Sequence, residues 1–303
     1  MSHGYAHPRY AQSLSEFATP RLLPRSGAWI LERTIDGTSQ RDAMGCYPLF
    51  ACSNWSGLEA DLNDLQDELV CLSLVTDPFG EYEAGDLEAC FPHKVVPFKK
   101  HFVADLASPF IESVSKHHRY YAQRALGNLE VEVCDEPSRF LDTWCKLYSH
   151  LSARHGLKGM KAFSRKAFEQ QLTVPGIRML RAIHQGETVG AHLWYQQGDV
   201  VHSHLAAVNA RGYELMASYA LYWSALESFS KIARWLNFGA GAGLDKNDDD
   251  GLTRFKRGWA TTTRTAYFCA RILETQKYES LCAARGVSAD TNYFPAYRQG
   301  EFA

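Results

Sequence analysis

Three apolar segments followed by a long apolar helix constrain the fold of this chain more than any other feature. Residues 177–184, 187–196 and 200–207 are rich in apolar side chains and are separated by short glycine-containing turns, which predicts an antiparallel meander. The next segment predicts a helix buried over most of its circumference, because apolar side chains recur at steps of three and four residues at Leu215, Tyr219, Tyr222, Leu226 and Phe229. We therefore expect a sheet covered by a helix, whose aromatic side chains belong to the core and imply no cofactor.

The rest of the chain predicts a second group of elements with a similar plan. Before residue 109 we expect strands at 28–34, 43–50, 69–76 and 102–106, and helices at 58–68 and 86–91. Pro109 is expected to open a long helix that continues to about Leu126 and bridges the two halves. We accordingly predict an N-terminal domain at 1–108 and, with the bridging helix, a C-terminal domain at 109–303.

Composition supports two ordinary cores and leaves room for local basic patches. The 303 residues are 46% hydrophobic, which suffices for two domains, and the formal net charge of -2 argues against a protein that coats nucleic acid. Basic patches, each of which could equally be a solvated surface, occur at 94–101, 116–124, 154–166 and 254–257.

Cellular location and cysteine use also follow from composition. Residues 1–20 contain no apolar run, and the longest apolar runs elsewhere are far too short to span a bilayer, so we expect a cytoplasmic protein without membrane insertion. The eight cysteines never form a Cys-x-x-Cys pair, which favours reduced structural cysteines over disulfides or zinc.

Residues 235–268 give the strongest indication of a functional site. They predict a strand, a loop with Gly239, Gly241 and Gly243, an acidic spacer at 244–250, a basic turn at 254–257 and a second strand. This order would place Lys256 at the edge of a sheet. The glycines only loosely match a dinucleotide-binding loop, since acidic residues follow where a helix is required, and the acidic residues lack the spacing of a calcium loop.

The junction between the meander and its helix bears on coenzyme A. A meander followed by a packed helix is the plan of the acetyltransferase-like GNAT fold, in which this turn normally holds the pyrophosphate of coenzyme A with backbone N–H groups. Here the junction, 208–215, has one glycine, a bulky Tyr213 and the carboxylate of Glu214, which would compete with a phosphate for the helix dipole. Coenzyme A binding is therefore disfavoured.

Two motifs together with this altered junction resemble the Fem family. They are the basic helix Ser-Lys-His-His-Arg-Tyr-Tyr-Ala-Gln-Arg-Ala-Leu at 115–126 and Gly-Leu-Thr-Arg-Phe-Lys-Arg-Gly-Trp at 251–259. The resemblance implies an α+β fold of tandem GNAT-like domains, with mixed central sheets flanked by helices. It also implies transfer of an amino acid from aminoacyl-tRNA, as co-substrate without another cofactor, to an amine, with phosphate contacts from Lys116, Arg119 and Arg124.

The acceptor is left open by two departures from the family. Members acting on cell-wall precursors tend to carry an Arg-Gly-Pro-type turn where this chain has Thr-Asp-Pro-Phe-Gly at 76–80, and the helical-hairpin insertion of some members is missing. A small peptide, an amino acid or a carrier-bound intermediate is therefore as plausible an acceptor as a peptidoglycan precursor.

Aminolysis of an ester requires a group that stabilises the tetrahedral oxyanion, worth roughly 3 to 4 kcal/mol. Lys256 is our candidate, because it lies in the basic turn between Gly251 and Gly258, which permit close approach, and it matches the family's lysine. The alternative is that Lys256 contacts solvent or a phosphate.

The attacking amine also needs a proton acceptor. A turn at Gln197-Gly198 would place Leu193 opposite His202, so that His202 and His204 share one face of the hairpin while His192 lies on the other, which disfavours a three-histidine metal site. His204 is one candidate base, and the alternative is a hydrogen-bonded structural histidine. Asp77, which ends a strand, is the second candidate, and its alternative is to cap the turn at Pro78.

Three functions remain open from sequence. The first is an aminoacyltransferase whose acceptor site further includes Tyr195, Tyr213, Glu214, Gly241, Arg254 and Arg257. The second is an N-acyltransferase that uses acyl-CoA or a carrier-protein thioester. The third is a degenerate GNAT module that only binds a ligand, which the retained glycine loop and basic turn disfavour.

Overall fold

The computed structural model describes residues 2–241, 250–289 and 291–301. The strands are β1 (Thr19–Leu23), β2 (Ala28–Thr34), β3 (Arg41–Gly45), β4 (Cys71–Val75), β5 (Lys94–Asp105), β6 (Glu130–Cys134), β7 (Ile177–His184), β8 (Glu187–Gln197), β9 (Val200–Val208), β10 (Trp235–Gly239) and β11 (Thr262–Ile272). The α-helices are α1 (Pro8–Gln12), α2 (Leu58–Asn63), α3 (Ala84–Cys90), α4 (Phe110–Ser113), α5 (Lys116–Leu126), α6 (Leu141–His155), α7 (Arg165–Gln171), α8 (Ala210–Glu214), α9 (Ala217–Phe229), α10 (Gly251–Arg257) and α11 (Thr275–Ala284).

The chain forms two compact units, whose limits differ from the predicted domains 1–108 and 109–303. The meander unit contains Met1–Arg9 and Lys99–Thr265, and the second unit contains Tyr10–Phe98 and Ala266–Ala303. The difference has a physical cause in strand pairing. Strand β11 pairs antiparallel with β4, so the last part of the chain belongs with the first strands, whereas the end of β5 pairs with β10.

The meander unit confirms the predicted meander and its covering helix. Its strands lie in the order β5-β10-β9-β8-β7-β6, all antiparallel except for the parallel pair β9 and β10. Helix α9 contributes Leu221, Leu226 and Phe229 to a core that also includes Trp194 and Phe238. Burial of these large apolar side chains is the main favourable contribution to folding of this unit.

The second unit is also a mixed sheet. Its strands lie in the order β1-β2-β3-β4-β11, with β3 and β4 parallel and the other neighbours antiparallel. One core cluster contains Phe50, Trp55, Leu58, Leu74 and Phe91, which join the strands to α2 and α3.

The predicted long helix from Pro109 to Leu126 is interrupted. Helix α4 ends before Val114, whose backbone is extended, and α5 begins after Ser115, whose hydroxyl oxygen accepts a hydrogen bond from the N–H of His118. Serine at this position competes for backbone hydrogen bonds and favours a new helix start over continuation.

The eight cysteines are free, and six of them are buried: Cys46, Cys71, Cys90, Cys134, Cys269 and Cys282. Among the helices of the described residues, none is long and apolar enough to span a bilayer.

Candidate active site

Lys256 lies on a helix, in contrast to the predicted basic turn at the edge of a sheet. Helix α10 begins after Asp250, whose carboxylate accepts hydrogen bonds from the N–H groups of Leu252 at 2.8 Å and Thr253 at 3.0 Å. An aspartate in this position satisfies N–H groups that would otherwise have no partner and places a negative charge at the positive end of the helix. The end of the acidic spacer is therefore a helix cap, which gives the motif a rigid support.

The Lys256 ammonium is partly buried and bound to the backbone. Its Nζ donates a hydrogen bond of 2.7 Å to the carbonyl oxygen of Ala240, which follows strand β10. The pKa of Lys256 is lowered to about 8, mainly by burial; Asp250 opposes the shift and Lys99 adds to it. The ammonium is thus mostly charged at neutral pH, yet has lost much of the water that would weaken its field.

Lys256 contacts the loop that follows strand β10. The parallel pairing of β10 with β9 ends just before this loop. Strand β10 pairs with β9 at Trp235, Leu236 and Asn237, and the last pair is Asn237 with His202. Beyond it β10 continues to Gly239, whose φ of 78° is accessible mainly to glycine. The parallel pairing of β9 and β10 therefore ends three residues before Ala240, which binds the ammonium.

The glycine loop also supports helix α10. A Cβ atom at Gly241 would lie 2.2 Å from the Thr253 hydroxyl oxygen, so the missing side chain lets the first turn of α10 approach the loop. Gly241 therefore has a structural use beside its predicted contact with substrate. Gly243 and the acidic residues 244–249 lie outside the described residues.

The two motifs that carry the Fem resemblance contact each other directly. His118 of α5 is buried; its Nε2 donates to the Phe255 carbonyl oxygen of α10 at 2.8 Å, and its Nδ1 accepts from the Ser115 hydroxyl at 2.8 Å. A Cβ atom at Gly258 would lie 2.2 Å from the His118 ring. The glycine after α10 thus makes room for the histidine of α5, and burial lowers the pKa of that histidine, which favours the neutral ring.

One face of α5 combines exposed cations and aromatic rings. His117, Tyr120, Tyr121 and Arg124 share this face because they are spaced by three or four residues. The ring centroids of His117 and Tyr121 are 4.6 Å apart, and Tyr121 lies 5.3 Å from Tyr219 of α9. The predicted phosphate-binding residues Lys116 and Arg124 are exposed on this helix, and Arg119 is partly exposed.

His204 has a structural position, and its predicted role as a base is not supported by its surroundings. Its Nε2 contacts Oε1 of Gln171 at 3.1 Å and its Nδ1 contacts the Tyr5 hydroxyl at 3.2 Å, so both ring nitrogens are engaged. Burial lowers its pKa to about 3. Tyr195, predicted to contact substrate, is fully buried on the same side and donates to the Gln171 carbonyl oxygen at 3.0 Å.

The predicted hairpin register was wrong, although the predicted faces are confirmed. Tyr195, and not Leu193, lies opposite His202, because Gln197 belongs to strand β8 and pairs with Val200. His202 and His204 both contact the ring of Tyr5, whereas His192 packs against Tyr222 of α9.

The remaining predicted residues are dispersed. Asp77 belongs to the second unit, where its carboxylate accepts from the N–H of Phe79 at 3.0 Å, as expected for a turn cap. Tyr213 is 55% exposed beneath the Arg154 guanidinium, and Glu214 forms a 2.7 Å ion pair with Arg211. Lys256, on α10, is grouped with helix α5 through the contact between His118 and Phe255.

Arg254 and Arg257 are exposed on α10 beside Lys256. Arg257 lines a cavity of about 350 Å³ together with Lys100, Phe102 and residues 260–263, three of which are threonines.

A buried polar network, which the sequence did not predict, lies next to this site. Asn237 of β10 contacts His101 of β5 and His202 of β9, each at 3.1 Å. The available signal was a single amide in the otherwise apolar strand Trp-Leu-Asn-Phe-Gly, since buried amides require hydrogen-bond partners.

The junction between β9 and α9 differs from a phosphate-binding turn. Residues 210–214 form the short helix α8, and the N–H of Gly212 is already bound to the Asn209 side chain at 2.8 Å. A Cβ atom at Gly212 would lie 2.3 Å from the Val189 carbonyl oxygen, so this glycine serves packing. Within residues 2–241, 250–289 and 291–301, no three His, Cys, Asp or Glu side chains converge as a metal site.

Several known proteins are similar to this chain in sequence or in fold. The acetyltransferase (GNAT) domain family matches residues 112–257, which include α5, α9 and α10. The fold resembles that of FemX with a TM-score of 0.67 at 13% identity, covering 90% of this chain and 93% of that chain. It also resembles the C-terminal domain of a putative lysylphosphatidylglycerol synthetase from Agrobacterium fabrum, with a TM-score of 0.60 at 12% identity, covering 93% of each chain. A third similar structure is L-PGS from Bacillus licheniformis, with a TM-score of 0.58 at 14% identity, covering 89% of this chain and 93% of that chain.

No curated protein sequence matches the chain. The structural matches extend over nearly the whole chain and confirm the predicted fold class, tandem GNAT-like α+β with mixed sheets flanked by helices. They also agree with the resemblance first seen in the helix at 115–126 and the motif at 251–259. The chain thus has a GNAT fold, and its architecture resembles that of FemX.

Proposed function

We propose that this protein is an aminoacyltransferase that moves an amino acid from aminoacyl-tRNA to the amine of a peptide or small molecule. The observation that carries the proposal is the partly buried Lys256 ammonium, bound to Ala240 just beyond the point where β9 and β10 cease to pair. A fixed cation in a site partly shielded from water can stabilise an oxyanion without reorganising during the reaction.

The proposed reaction is aminolysis of an ester. The neutral acceptor amine attacks the ester carbonyl carbon, a C–N bond forms, and the carbonyl oxygen becomes an oxyanion that faces the Lys256 ammonium. The bond to the ribose oxygen then breaks, and the proton lost by the amine ends on the released ribose hydroxyl. Lys256 remains protonated throughout, so its contribution is electrostatic.

Helix α5 supports an RNA-linked donor. It carries Lys116, Arg119 and Arg124, and Arg124 shares a face with the rings of His117 and Tyr121. Cations on the same helix as aromatic rings suit phosphates and unpaired bases. His118 joins this helix to α10, which carries Lys256. The synthetase and FemX folds support the same proposal, since the name lysylphosphatidylglycerol synthetase describes an aminoacylated product.

The proposal is tested by incubating the purified protein with a mixture of charged tRNAs and a panel of amines and peptides. We expect products heavier by one aminoacyl residue in mass spectra, and none after ribonuclease treatment or with Lys256→Met. Lys231→Met, which changes an exposed lysine of the same unit, is the matched control. Product formation that survives ribonuclease would exclude the RNA donor.

A second candidate is an N-acyltransferase using acyl-CoA or a carrier-protein thioester, favoured by the match to the acetyltransferase domain at 112–257. It predicts tight, pyrophosphate-dependent binding of coenzyme A. The short helix α8 and the Arg211–Glu214 ion pair oppose it, because they fill the turn where a pyrophosphate would lie. Calorimetric titration with coenzyme A and with dephosphorylated pantetheine distinguishes the two candidates.

A further inference from the structure

A buried polar network crosses three neighbouring strands of the meander unit. His101 of β5, Asn237 of β10 and His202 of β9 are only 7%, 1% and 1% exposed. The Asn237 amide lies between the two imidazoles, with Oδ1 at 3.1 Å from Nδ1 of His101 and Nδ2 at 3.1 Å from Nδ1 of His202. Buried polar groups of this kind are costly unless they are satisfied, so the network holds its members in fixed orientations.

The hydrogen bonds define the orientation of the Asn237 amide. Its Oδ1 accepts a second hydrogen bond, of 2.9 Å, from the backbone N–H of Gly239, so the opposite orientation would place two donors against each other. The oxygen therefore accepts from Nδ1–H of His101, and the Nδ2 group donates to Nδ1 of His202. Both imidazoles are neutral in this arrangement, in agreement with burial, which lowers the pKa of His101 to about 3.

The same amide shapes the backbone that binds Lys256. The register between β10 and β5 shifts between Asn237 and Gly239, and Gly239 adopts a φ of 78°. Its N–H thus turns toward the Asn237 side chain, and the carbonyl of Ala240, one residue later, accepts the hydrogen bond from Lys256 Nζ at 2.7 Å. A Cβ atom at Gly239 would lie 3.2 Å from Lys256 Nζ, which shows how closely the turn fits the ammonium.

We propose that Asn237 is a positioning residue for Lys256, acting through the Gly239–Ala240 turn that it fixes beyond the last pair of β9 and β10. The catalytic importance of this effect rests on the proposed function, whereas the positioning itself is a property of the fold. Asn237 does not contact the ammonium, and its effect passes through two residues of backbone.

The charged groups around Lys256 act on its protonation and are distinct from the positioning of its side chain by the Gly239–Ala240 turn. The charged groups acting on the ammonium are Asp250, which favours its protonation, and Lys99, which opposes it. His101 and His192 also feel the charge of Lys256, and both have lowered pKa values because they are buried. Neutral imidazoles add no net charge, so the network directs the lysine through hydrogen bonds.

The test measures the ionisation of Lys256 in the intact protein, separately from activity. Trace labelling with acetic anhydride across pH, followed by peptide mass spectrometry, gives the pKa of each lysine, with the exposed lysines as internal references. We expect Lys256 to titrate near 8 in the unchanged protein and at least one unit higher in Asn237→Ala and Gly239→Ala, because a displaced turn releases the flexible side chain toward water. In transfer assays the same variants should lose at least tenfold in kcat with little change in KM.

Gly198→Ala is the matched control, because Gly198 also has a positive φ, of 59°, but a Cβ atom there has no neighbour within 4 Å. It should leave the pKa of Lys256 unchanged. If Asn237→Ala fails to fold, Asn237→Ser, a smaller change at the same position, carries the test. If a variant at Asn237 folds and is less stable, but the pKa of its Lys256 is unchanged, the positioning proposal is overturned. If the protein without substitutions shows no aminoacyl transfer, only the proposed function is contradicted.

Discussion

Lys256 combines two properties that oppose each other. Burial makes the field of its ammonium strong, and the same burial disfavours the charged form, as the lowered pKa shows. A group whose folded pKa lies below its unfolded value reduces stability at pH values below both, and this loss disappears as pH rises through the interval between them. At neutral pH Lys256 therefore lowers the stability of the protein that uses it.

This opposition gives a prediction for Lys256→Met. The substitution should reduce aminoacyl transfer by about 10²- to 10³-fold, as for loss of an oxyanion-stabilising donor. It should also raise the free energy of unfolding at pH 7 by roughly 1 to 3 kcal/mol, because a partly buried charge is removed while the packing volume is nearly kept. Denaturant unfolding monitored by tryptophan fluorescence measures the second effect, and Lys231→Met should change neither. A less stable Lys256→Met would mean that the ammonium is a structural group.

The pH dependence of the reaction follows from the same residue. Stabilisation of an oxyanion requires protonated Lys256, so kcat/KM should fall tenfold per pH unit above about 8, the pKa of this lysine. The ascending limb at lower pH belongs to the acceptor amine, which must be neutral to attack. Rates measured with several acceptors of different amine pKa should move the ascending limb and leave the descending limb in place. A rate that stays constant up to pH 10 would exclude the cationic role.

At the level of elements, α10 depends on its cap and on the contact with α5. Asp250 has two separable effects: its oxygens accept backbone hydrogen bonds from the first turn, and its charge favours protonation of Lys256. The helix has only seven residues, so its stability comes mainly from the cap and from tertiary contacts such as that of Phe255 with His118.

Two substitutions at Asp250 separate these effects. Asp250→Asn keeps a good capping group and removes the charge, so stability should be nearly unchanged while the descending limb of the pH profile moves to lower pH. Asp250→Ala removes both, and should show the same shift together with a loss of about 1 kcal/mol in unfolding free energy. The pH profile and unfolding curves of the two variants provide the measurement. Equal profiles for the unchanged protein and Asp250→Asn would show that this charge does not reach Lys256.

Helix α5 should determine binding of the RNA part of the donor. Replacement of Lys116 and Arg124 by alanine should weaken binding of aminoacyl-tRNA, and should reduce the slope of log K against log salt by roughly 0.7 to 0.9 for each phosphate that the variant no longer binds. Tyr121→Ala should weaken binding with an unchanged slope, because stacking of a base involves no phosphate. Fluorescence anisotropy with labelled tRNA across a salt series measures both. Arg139→Ala, at a 73% exposed arginine elsewhere in the meander unit, is the control and should leave the slope unchanged.

The elements could be predicted from sequence to different extents. The meander and α9 were predicted well because their periodicity is long and regular, and alternation correctly placed His192 and His204 on opposite faces. The hairpin register was not predicted correctly. Whether Gln197 ends a strand or begins a turn depends on its backbone pairing with the neighbouring strand. Helix α10 was mistaken for a turn because Asp250 was assigned to the acidic loop, although Asp-Gly-Leu-Thr is a plausible helix start.

At the level of the whole molecule, contacts between distant parts of the sequence decide the roles of several residues. His204 looked like a possible base, and it is buried by Tyr5, 199 residues away along the chain. The N-terminal segment that carries Tyr5 also binds the meander unit through the Gly4 N–H and the Pro175 carbonyl oxygen at 3.2 Å. Short-range sequence patterns cannot reveal such contacts.

The buried histidines predict a specific sensitivity to acid. His101 and His204 have pKa values near 3 in the folded protein and about 6.5 when unfolded, so stability is complete above pH 6.5 and is lost as pH falls below it. Each histidine should cost about 2 kcal/mol of unfolding free energy at pH 5. Urea unfolding between pH 5 and 8 measures the loss, and His204→Gln, which keeps a polar group without the ionisation, should remove the part that His204 contributes, about 2 kcal/mol at pH 5. Stability independent of pH over this range would contradict the neutral state of these rings.

The contact between Gly258 and His118 links two segments that are far apart in sequence. Because a Cβ atom at Gly258 would overlap the imidazole ring, a side chain at position 258 can be accommodated only if position 118 becomes smaller at the same time. The two positions should therefore vary as a pair among proteins that share this fold, and a larger side chain at position 258 alone should separate α5 from α10. Other surfaces of the two helices can change independently, but this contact can change only by two coordinated substitutions.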